Sequence, residues 1–246
     1  MVMYFQGVCR NLCCGNGLVG IGSFFMRTLA FGDIHGCYQS LLALWERVNP
    51  AKDDHLIMLG DYVDRGPQSK QVIDFLLEKK RVHTMDFLQG NHEVKMMLTR
   101  GYQNEFEAWI DHWDAGATMD SYGVTSVHDI PESHWEFLRV CKPYVELDRH
   151  IFVHACVEAD RPISEQNGYT LVHKKFVDEG AHCSGKTVIC GHTAQSKHRP
   201  LDVGHTICID TDAGRDGWVT CLDVDTYDYW QANEGGESRG LSLRDL

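Results

Sequence analysis

Acidic and imidazole side chains follow two apolar runs of this sequence at short spacing. The segment "FGDIHG" supplies Asp33 and His35, and "LGDYVDRG" supplies Asp61, Asp64 and Arg65. Carboxylate oxygens and imidazole nitrogens are ligands for ions such as Mn, Fe, Zn and Ni. Because Asp33 and His35 lie two residues apart just past a predicted strand, both can reach one ion, and a carboxylate such as Asp61 can bridge two.

Three later segments repeat this pattern of polar groups after an apolar run. "QGNHE" supplies Asn91, His92 and Glu93, "VHA" supplies His154, and "CGHT" supplies His192. A lone Gly-Asp pair is typical of a turn, and a lone strand-end histidine is typical of a structural residue. Ligands of open α/β sheets, however, bind outside the carboxyl ends of the strands, so five such groups can converge there. Together they indicate a two-metal centre, in which ions about 3.5–4 Å apart acidify a shared water and hold a phosphate.

The first third of the chain has the alternating pattern that would place these groups at one edge of a sheet. Apolar runs predict strands at 27–33, 55–61 and 82–90. Residues with helical spacing predict helices at 40–48 and 68–80. Strands that alternate with helices predict an α/β layered fold.

The remaining segments are predicted from the same kinds of pattern. Further strands are expected at 144–155, 186–193, 205–211 and 217–224, a helical insertion or cap at about 94–140, and a mostly loop-like stretch at 157–185 with one helix near 170–178. We expect a single domain over residues 26–232, a tag-like or disordered extension at 1–25, and a flexible tail rich in Gly, Ser and charge at 233–246.

The overall composition narrows the class of function. A net charge of −12 argues against sequence-independent nucleic-acid binding, which needs a basic face. No apolar run reaches the 18 residues typical of a membrane span, so we expect a soluble, cytoplasmic protein without a membrane partner. The 10 cysteines are expected to be reduced thiols.

The motif set GDxHG, GDxVDRG and GNHE, followed by the later histidines, resembles the PPP-type calcineurin-like metallophosphatases. It looks most like the bacterial and phage serine/threonine protein phosphatases, over about residues 27–232. The resemblance implies a layered β-sandwich core flanked by helices, in the order α/β/β/α. It also implies two divalent cofactor ions, with Mn expected and Fe, Zn or Ni as alternatives, and in-line attack on phosphorus by a water or hydroxide that bridges them.

The resemblance also implies roles for individual residues. One ion would be held by Asp33, His35 and the bridging Asp61, and the second by Asp61, Asn91, His154 and His192.

The substrate-handling roles follow from the same resemblance. His92 would protonate the leaving oxygen and Asp64 would orient it. Arg65 and Asn91 would bind phosphate oxygens, and Glu93 would support the ligands from behind.

The sequence departs from the family pattern where further phosphate-binding arginines are expected. Gln89 stands where many relatives have an arginine before "GNHE". The stretch "LVHKKF" offers Lys174 and Lys175 where a Trp-x-Arg context is usual. Arginine can bind phosphate through two parallel N–H groups, whereas lysine offers only a point charge. We therefore expect less directional phosphate binding, and a higher KM for small aryl phosphates than in a relative with three arginines.

The leading interpretation is a phosphatase that acts on phosphoserine or phosphothreonine in a protein or peptide partner. The alternative on the same scaffold is a symmetrical diadenosine tetraphosphate hydrolase, whose members often carry Gln in place of His35 and Asp in place of Glu93. A non-catalytic scaffold would be expected to have lost ligand positions, and all are present. A metallonuclease is disfavoured by the acidic charge and by the "VDRG" motif.

Overall fold

The computed structural model describes residues 26–245. The predicted N-terminal extension at 1–25 lies outside this range. Within the described residues, no helix has the length and apolar character that crossing a bilayer requires. The seven cysteines between residues 26 and 245 are all free thiols.

The helices and strands of the described residues alternate at first and then separate into a helical segment and a strand-rich segment. The strands are β1 (Thr28–Phe31), β2 (His55–Met58), β3 (Thr84–Phe87), β4 (Tyr144–Glu146), β5 (His150–Val153), β6 (Thr187–Cys190), β7 (Leu201–Asp202), β8 (Thr206–Cys208), β9 (Val219–Asp223), β10 (Asp228–Ala232) and β11 (Ser238–Ser242). The helices are α1 (Tyr38–Val48), α2 (Ser69–Lys79), α3 (Asn91–Leu98), α4 (Gln103–His112), α5 (Gly116–Tyr122), α6 (Glu132–Arg139) and α7 (Gly168–His173).

The strands form two mixed sheets. The first has the order β11-β10-β9-β1-β2-β3, in which β1, β2 and β3 are parallel and the other three are antiparallel to their neighbours. The second has the order β4-β5-β6-β8-β7, with β5, β6 and β8 parallel. The predicted α/β class with two sheets flanked by helices is confirmed.

Alternating side chains along the strands separate the layers. In β1, Leu29 and Phe31 face the helices α1 to α6, whereas Ala30 packs between the two sheets. In β5, Phe152 points into the layer between the sheets, and its neighbours pack against the segment that contains α7. Successive side chains of a strand point to opposite faces, so one strand contributes to two apolar layers. The result is the layer order helices, sheet, sheet, helix.

The observed elements differ in detail from the predicted ones. Residues 91–140, for which the sequence predicts helices, contain α3 to α6. The run at 144–155 is two strands, β4 and β5, which pair antiparallel on either side of a short turn. The helix expected near 170–178 is α7, which begins and ends earlier at Gly168–His173.

The structure contradicts the flexible tail expected from residue 233. Strand β11 pairs with β10 along its whole length, and Leu243 is buried in the layer between the sheets. Glu234 accepts hydrogen bonds from the backbone N–H and the hydroxyl of Ser40 at the start of α1. An edge strand is held by backbone hydrogen bonds, so its Gly, Ser and charge content did not reveal it.

A matched pair of leucine variants tests whether this tail is packed. We expect Leu243→Ala to lower the free energy of unfolding by about 2–3 kcal/mol, because it removes a buried side chain. Leu241→Ala, at a side chain 41% exposed on β11, should change it by less than about 0.5 kcal/mol. Urea unfolding measures both values. Equal, negligible effects would show that the tail is frayed after all.

Candidate metal centre

The predicted ligand residues come together beside the carboxyl ends of strands from both sheets. Asp33 lies just past β1 and Asp61 just past β2, while Asn91 opens α3 after β3. His154 and His192 follow β5 and β6 of the second sheet. The site is therefore built from both sheets, as the strand-end pattern predicts.

The carboxylate of Asp61 lies between two groups of histidines. Its Oδ2 is 3.4 Å from Nε2 of His35, and its Oδ1 is 3.4 Å from Nε2 of His154. Oδ1 also accepts a hydrogen bond of 3.1 Å from the backbone N–H of His92. The position between two nitrogen groups suits a carboxylate that bridges two ions.

His35 presents a bare nitrogen to two carboxylates. Its Nδ1 donates to the carbonyl of Val63 at 3.0 Å, which leaves Nε2 as the acceptor. This Nε2 is buried without a hydrogen-bond partner among residues 26–245, and it faces Oδ2 of Asp61 at 3.4 Å and Oδ2 of Asp33 at 3.9 Å. Burial, together with nearby His92, holds the pKa of His35 well below its usual range, so the ring is neutral. A lone pair facing two carboxylates is an arrangement that a cation stabilises.

A second group of acceptors surrounds Asn91. Nδ1 of His154 donates to the carbonyl of Leu59 at 2.9 Å, and Nε2 of His192 donates to that of His173 at 3.1 Å. The remaining nitrogens of both rings lie 3.0 and 2.9 Å from Oδ1 of Asn91. Three acceptor atoms thus converge without a hydrogen between them.

The ionisation of the site follows from its burial. Burial lowers the pKa of His154, and it lowers the pKa of His192 to about 4 with a contribution from His154. Burial also raises the pKa of Asp33 well above its ordinary value. For Asp61, burial would raise the pKa, but the surrounding histidines outweigh it and the pKa is lowered. Neutral imidazoles, carboxylates and one amide oxygen fit divalent ions such as Mn, Fe, Zn or Ni.

Two glycines allow the ligand carboxylates to approach the backbone. A Cβ at Gly90 would lie 2.1 Å from Oδ1 of Asp61, and one at Gly191 would lie 2.1 Å from Oδ1 of Asp33. Any other residue would displace the carboxylate or the loop. This steric constraint explains the glycines that precede Asn91 and His192 in their motifs.

The backbone of the site is strained. His35, Asp61, Asp64, Arg65 and His192 all have φ between 49° and 70°, in the left-handed region that non-glycine residues rarely adopt. Each such residue costs of the order of 1–3 kcal/mol and persists where its surroundings enforce it. The concentration of strain at these strand ends supports a functional role for them.

Glu93 holds the loop that carries Asp61. Its Oε2 accepts hydrogen bonds from the backbone N–H of Asp61 at 2.8 Å and of Gly90 at 2.9 Å, and its Oε1 accepts one from Tyr62 at 2.8 Å. The side chain is fully buried. Glu93 therefore lies where a supporting residue would act, fixing the ligand loop to the start of α3.

His92 and Asp64 form a hydrogen-bonded pair beside the ligands. Nδ1 of His92 donates to Oδ2 of Asp64 at 2.7 Å, and Nε2 lies 3.9 Å from Oδ2 of Asp61. Burial lowers the pKa of His92, but Asp61 and Asp64 outweigh it, and the net pKa is raised. The pair directs Nε2 of His92 toward the Asp61 carboxylate.

The three cationic side chains that could bind phosphate differ in whether a carboxylate forms an ion pair with them. Arg65 is half-buried, and no carboxylate among residues 26–245 forms an ion pair with it. Lys174 forms an ion pair with Glu179 at 2.5 Å, whereas Lys175 has no carboxylate partner in the described part of the chain. The backbone beyond Lys175 is fixed beside the second ligand group, because the N–H of Phe176 donates to Thr193 at 2.9 Å. Lys175 is thus the lysine that stays available.

Three side chains at the site are not among the residues predicted from the sequence. Asp210, just past β8, is buried beside Asp33, and burial raises its pKa to about 6. Its position after "TICI" is the same strand-end signal that identified the other groups. Trp109 and Thr118, from the helical segment, both hydrogen-bond the carboxylate of Asp64, and no local motif marks them.

A family model described as calcineurin-like phosphoesterase matches residues 26–196, more than half of the chain. The chain therefore belongs to the calcineurin-like phosphoesterase family. Hydrolases of this family use a centre of two metal ions, and the residue groups around Asp61 could each hold one.

The relatives found by sequence include two kinds of phosphoesterase. Over 83 residues, 31% of this chain, it is 42% identical to a Caenorhabditis elegans protein provisionally named a serine/threonine-protein phosphatase, of which the match covers 18%. Over 74 residues, 29% of this chain, it is 40% identical to a symmetrical bis(5'-nucleosyl)-tetraphosphatase of Pseudomonas putida, of which the match covers 25%. The chain thus spans a quarter or less of these curated relatives.

Solved structures share the fold at low identity. A provisionally named diadenosine tetraphosphatase superposes with a TM-score of 0.60 at 19% identity, covering 89% of this chain and 94% of the other. A cold-active protein-tyrosine phosphatase from a psychrophilic Shewanella species gives 0.61 at 16% identity, covering 88% and 80%. At these identities the likeness concerns the fold.

Added divalent ions should stabilise the protein if the acceptor groups bind them. Saturating Mn²⁺ at about 100 times its Kd contributes roughly 2.7 kcal/mol, which raises the Tm of a domain of this size by about 5 to 10 °C. Asp61→Asn should lose most of that shift, because it removes the charge shared by both groups.

Asp86→Asn is the matched control for this thermal-shift measurement. Asp86 pairs with His55 and Lys142, away from the site, so this variant should keep the full Mn²⁺ shift even if its baseline Tm falls. Equal shifts in Asp61→Asn and wild type would contradict the assignment of Asp61 as a bridge.

Proposed function

We propose that this chain is a metal-dependent phosphomonoesterase that removes phosphate from phosphoserine or phosphothreonine in proteins or peptides. The observation that carries the proposal is the His92–Asp64 pair, with Nε2 of His92 turned toward the carboxylate that both acceptor groups share. That geometry suits a general acid beside a dimetal centre. His35 and Glu93 favour a protein phosphatase over the dinucleotide hydrolase.

Asp33, His35, Asp61, Asn91, His154 and His192 would hold two divalent ions, and Mn is the ion we propose. When bound, such ions acidify a water and neutralise phosphate charge.

Side chains of the protein would donate the proton and bind the phosphate. The Asp64 carboxylate accepts a hydrogen bond from Nδ1–H of His92 and stabilises the imidazolium form of the ring. In that form Nε2 carries the second proton, which passes to the leaving oxygen and leaves the imidazole neutral. Arg65, which has no ion-pair partner among the described residues, can bind phosphate oxygens with two N–H groups, with Lys175 as a second cation. Asn91 can contribute its amide N–H to the same phosphate.

The symmetrical diadenosine tetraphosphate hydrolase remains the second candidate, since a tetraphosphatase of Pseudomonas putida is among the relatives. It would use the same ligands to split a phosphoanhydride. The free state of the seven described cysteines supports our proposal of a cytoplasmic location for either enzyme.

A side-by-side assay separates the two functions. With Mn²⁺, we expect faster turnover of a phosphoserine or phosphothreonine peptide than of diadenosine tetraphosphate. His92→Asn should lower kcat about 10²- to 10⁴-fold, because it removes the general acid, and should keep the Mn²⁺ thermal shift. A strong preference for the dinucleotide would overturn the substrate assignment, and loss of the thermal shift would make His92 a ligand or structural residue.

Alanine variants of the two lysines test which of them binds phosphate. We expect Lys175→Ala to raise KM for an aryl phosphate by about tenfold or more, because it removes a charged hydrogen bond to phosphate. Lys174→Ala should leave KM within about twofold, since Lys174 is paired with Glu179. Steady-state kinetics on both variants measures this, and the reverse order would assign the grip to Lys174.

A further inference from the structure

The end of α4 lies directly over the His92–Asp64 pair. Trp109 and Trp113 are four residues apart, so they lie on one face of the helix, with Trp113 just past its last residue. Nε1 of Trp109 donates to Oδ2 of Asp64 at 2.9 Å. The ring of Trp113 packs edge-on against the imidazole of His92, with centroids 4.9 Å apart and planes at 75°. One helix face therefore contacts both members of the pair.

Helix α5 completes the surroundings of Asp64. The hydroxyl of Thr118 donates to Oδ1 of Asp64 at 2.8 Å and accepts from its backbone N–H at 2.9 Å. Asp64, Trp109 and Thr118 are all fully buried. With His92 and Trp109 on one oxygen and Thr118 on the other, both oxygens of the carboxylate are fixed in direction.

The helical segment is itself anchored to the rest of the domain. The hydroxyl of Tyr122 hydrogen-bonds Nδ1 of His134 at 2.7 Å, and Nε2 of His134 lies 3.0 Å from Oδ1 of Asp74 in α2. The N–H of Lys70 donates to Ser121 at 3.1 Å. These contacts join α5 and α6 to α2, so the groups that hold Asp64 belong to a connected layer.

We propose that the helical segment positions the general acid: Trp109 and Thr118 fix the Asp64 carboxylate, and Trp113 packs on His92, so that Nε2 of His92 meets the leaving oxygen of the substrate. This inference rests on the proposed phosphatase function. Trp109 and Thr118 are positioning residues, since they act on the substrate only through Asp64 and His92. A carboxylate free to rotate would let the imidazole turn away, and small misplacements of a reacting group reduce rate strongly.

The dependence of rate on the leaving group tests this positioning role. An alkyl phosphate, such as a phosphoserine peptide, needs proton donation to its leaving oxygen, whereas 2,4-dinitrophenyl phosphate releases a stable phenolate without it. Trp109→Phe keeps the ring and removes only the N–H donor. We expect kcat on the peptide to fall about ten- to a hundredfold, the effect of one charged hydrogen bond, and kcat on the dinitrophenyl ester to change less than about threefold.

Trp135→Phe is the matched control. Trp135 is buried in α6 of the same helical segment, and no group in the described part of the chain hydrogen-bonds its Nε1, so the substitution removes no hydrogen bond seen there. It should leave both rates within about twofold. The Mn²⁺ thermal shift should be the same in wild type, Trp109→Phe and Trp135→Phe.

Thr118 gives a second, independent pair of variants. Thr118→Val should reproduce the selective loss on the peptide, and Thr118→Ser, which keeps the hydroxyl, should restore it. Equal losses on both esters in Trp109→Phe and Thr118→Val would overturn the positioning role while leaving the phosphatase function intact. A wild-type protein that hydrolyses neither ester would contradict the phosphatase function and this inference with it.

Discussion

The structure depends on one buried carboxylate shared between two sets of nitrogen and oxygen acceptors. Asp61 is 2% exposed, and its two oxygens face bare imidazole nitrogens on opposite sides. A buried charge is expensive unless it is paired or coordinates a metal. Several neighbouring groups position this carboxylate. Glu93 accepts a hydrogen bond from the backbone N–H of Asp61, and Gly90 has no side chain to collide with its Oδ1. Strained loops of both sheets place the histidines beside it.

Two parts of the fold supply the groups around the Asp61 carboxylate. The two sheets place the acceptor groups just past their strand ends. The helical segment between α3 and β4 supplies groups that contact the pair beside the centre, chiefly Trp109 on Asp64 and Trp113 on His92. Asp64 and His92 lie on the same loop and helix start as Asp61 and Asn91, so the helical segment adds contacts to a pair that the sheet edge already positions.

Local patterns predicted the parts of the site that depend on single strands. Each candidate ligand follows an apolar run, so its position at the sheet edge could be predicted from spacing alone. The contacts of Trp109 and Thr118 could not, because they depend on how helices pack 45 to 54 residues away along the chain. The pairing of Lys174 with Glu179, which leaves Lys175 without a carboxylate partner in the described residues, depends on the conformation of the loop after α7, which periodicity does not specify. Strand β11 was missed because backbone pairing, and not side-chain pattern, holds it.

We propose that the acceptors on the two sides of Asp61 hold two cations. The most direct measurement is a crystal structure of the protein grown with Mn²⁺, with anomalous scattering recorded to locate the ions. We predict two anomalous peaks about 3.5–4 Å apart, one beside His35 and Asp33 and the other beside Asn91, His154 and His192, with the Asp61 carboxylate between them. A single peak remote from Asp61, or no peak in the site at saturating Mn²⁺, would contradict the account.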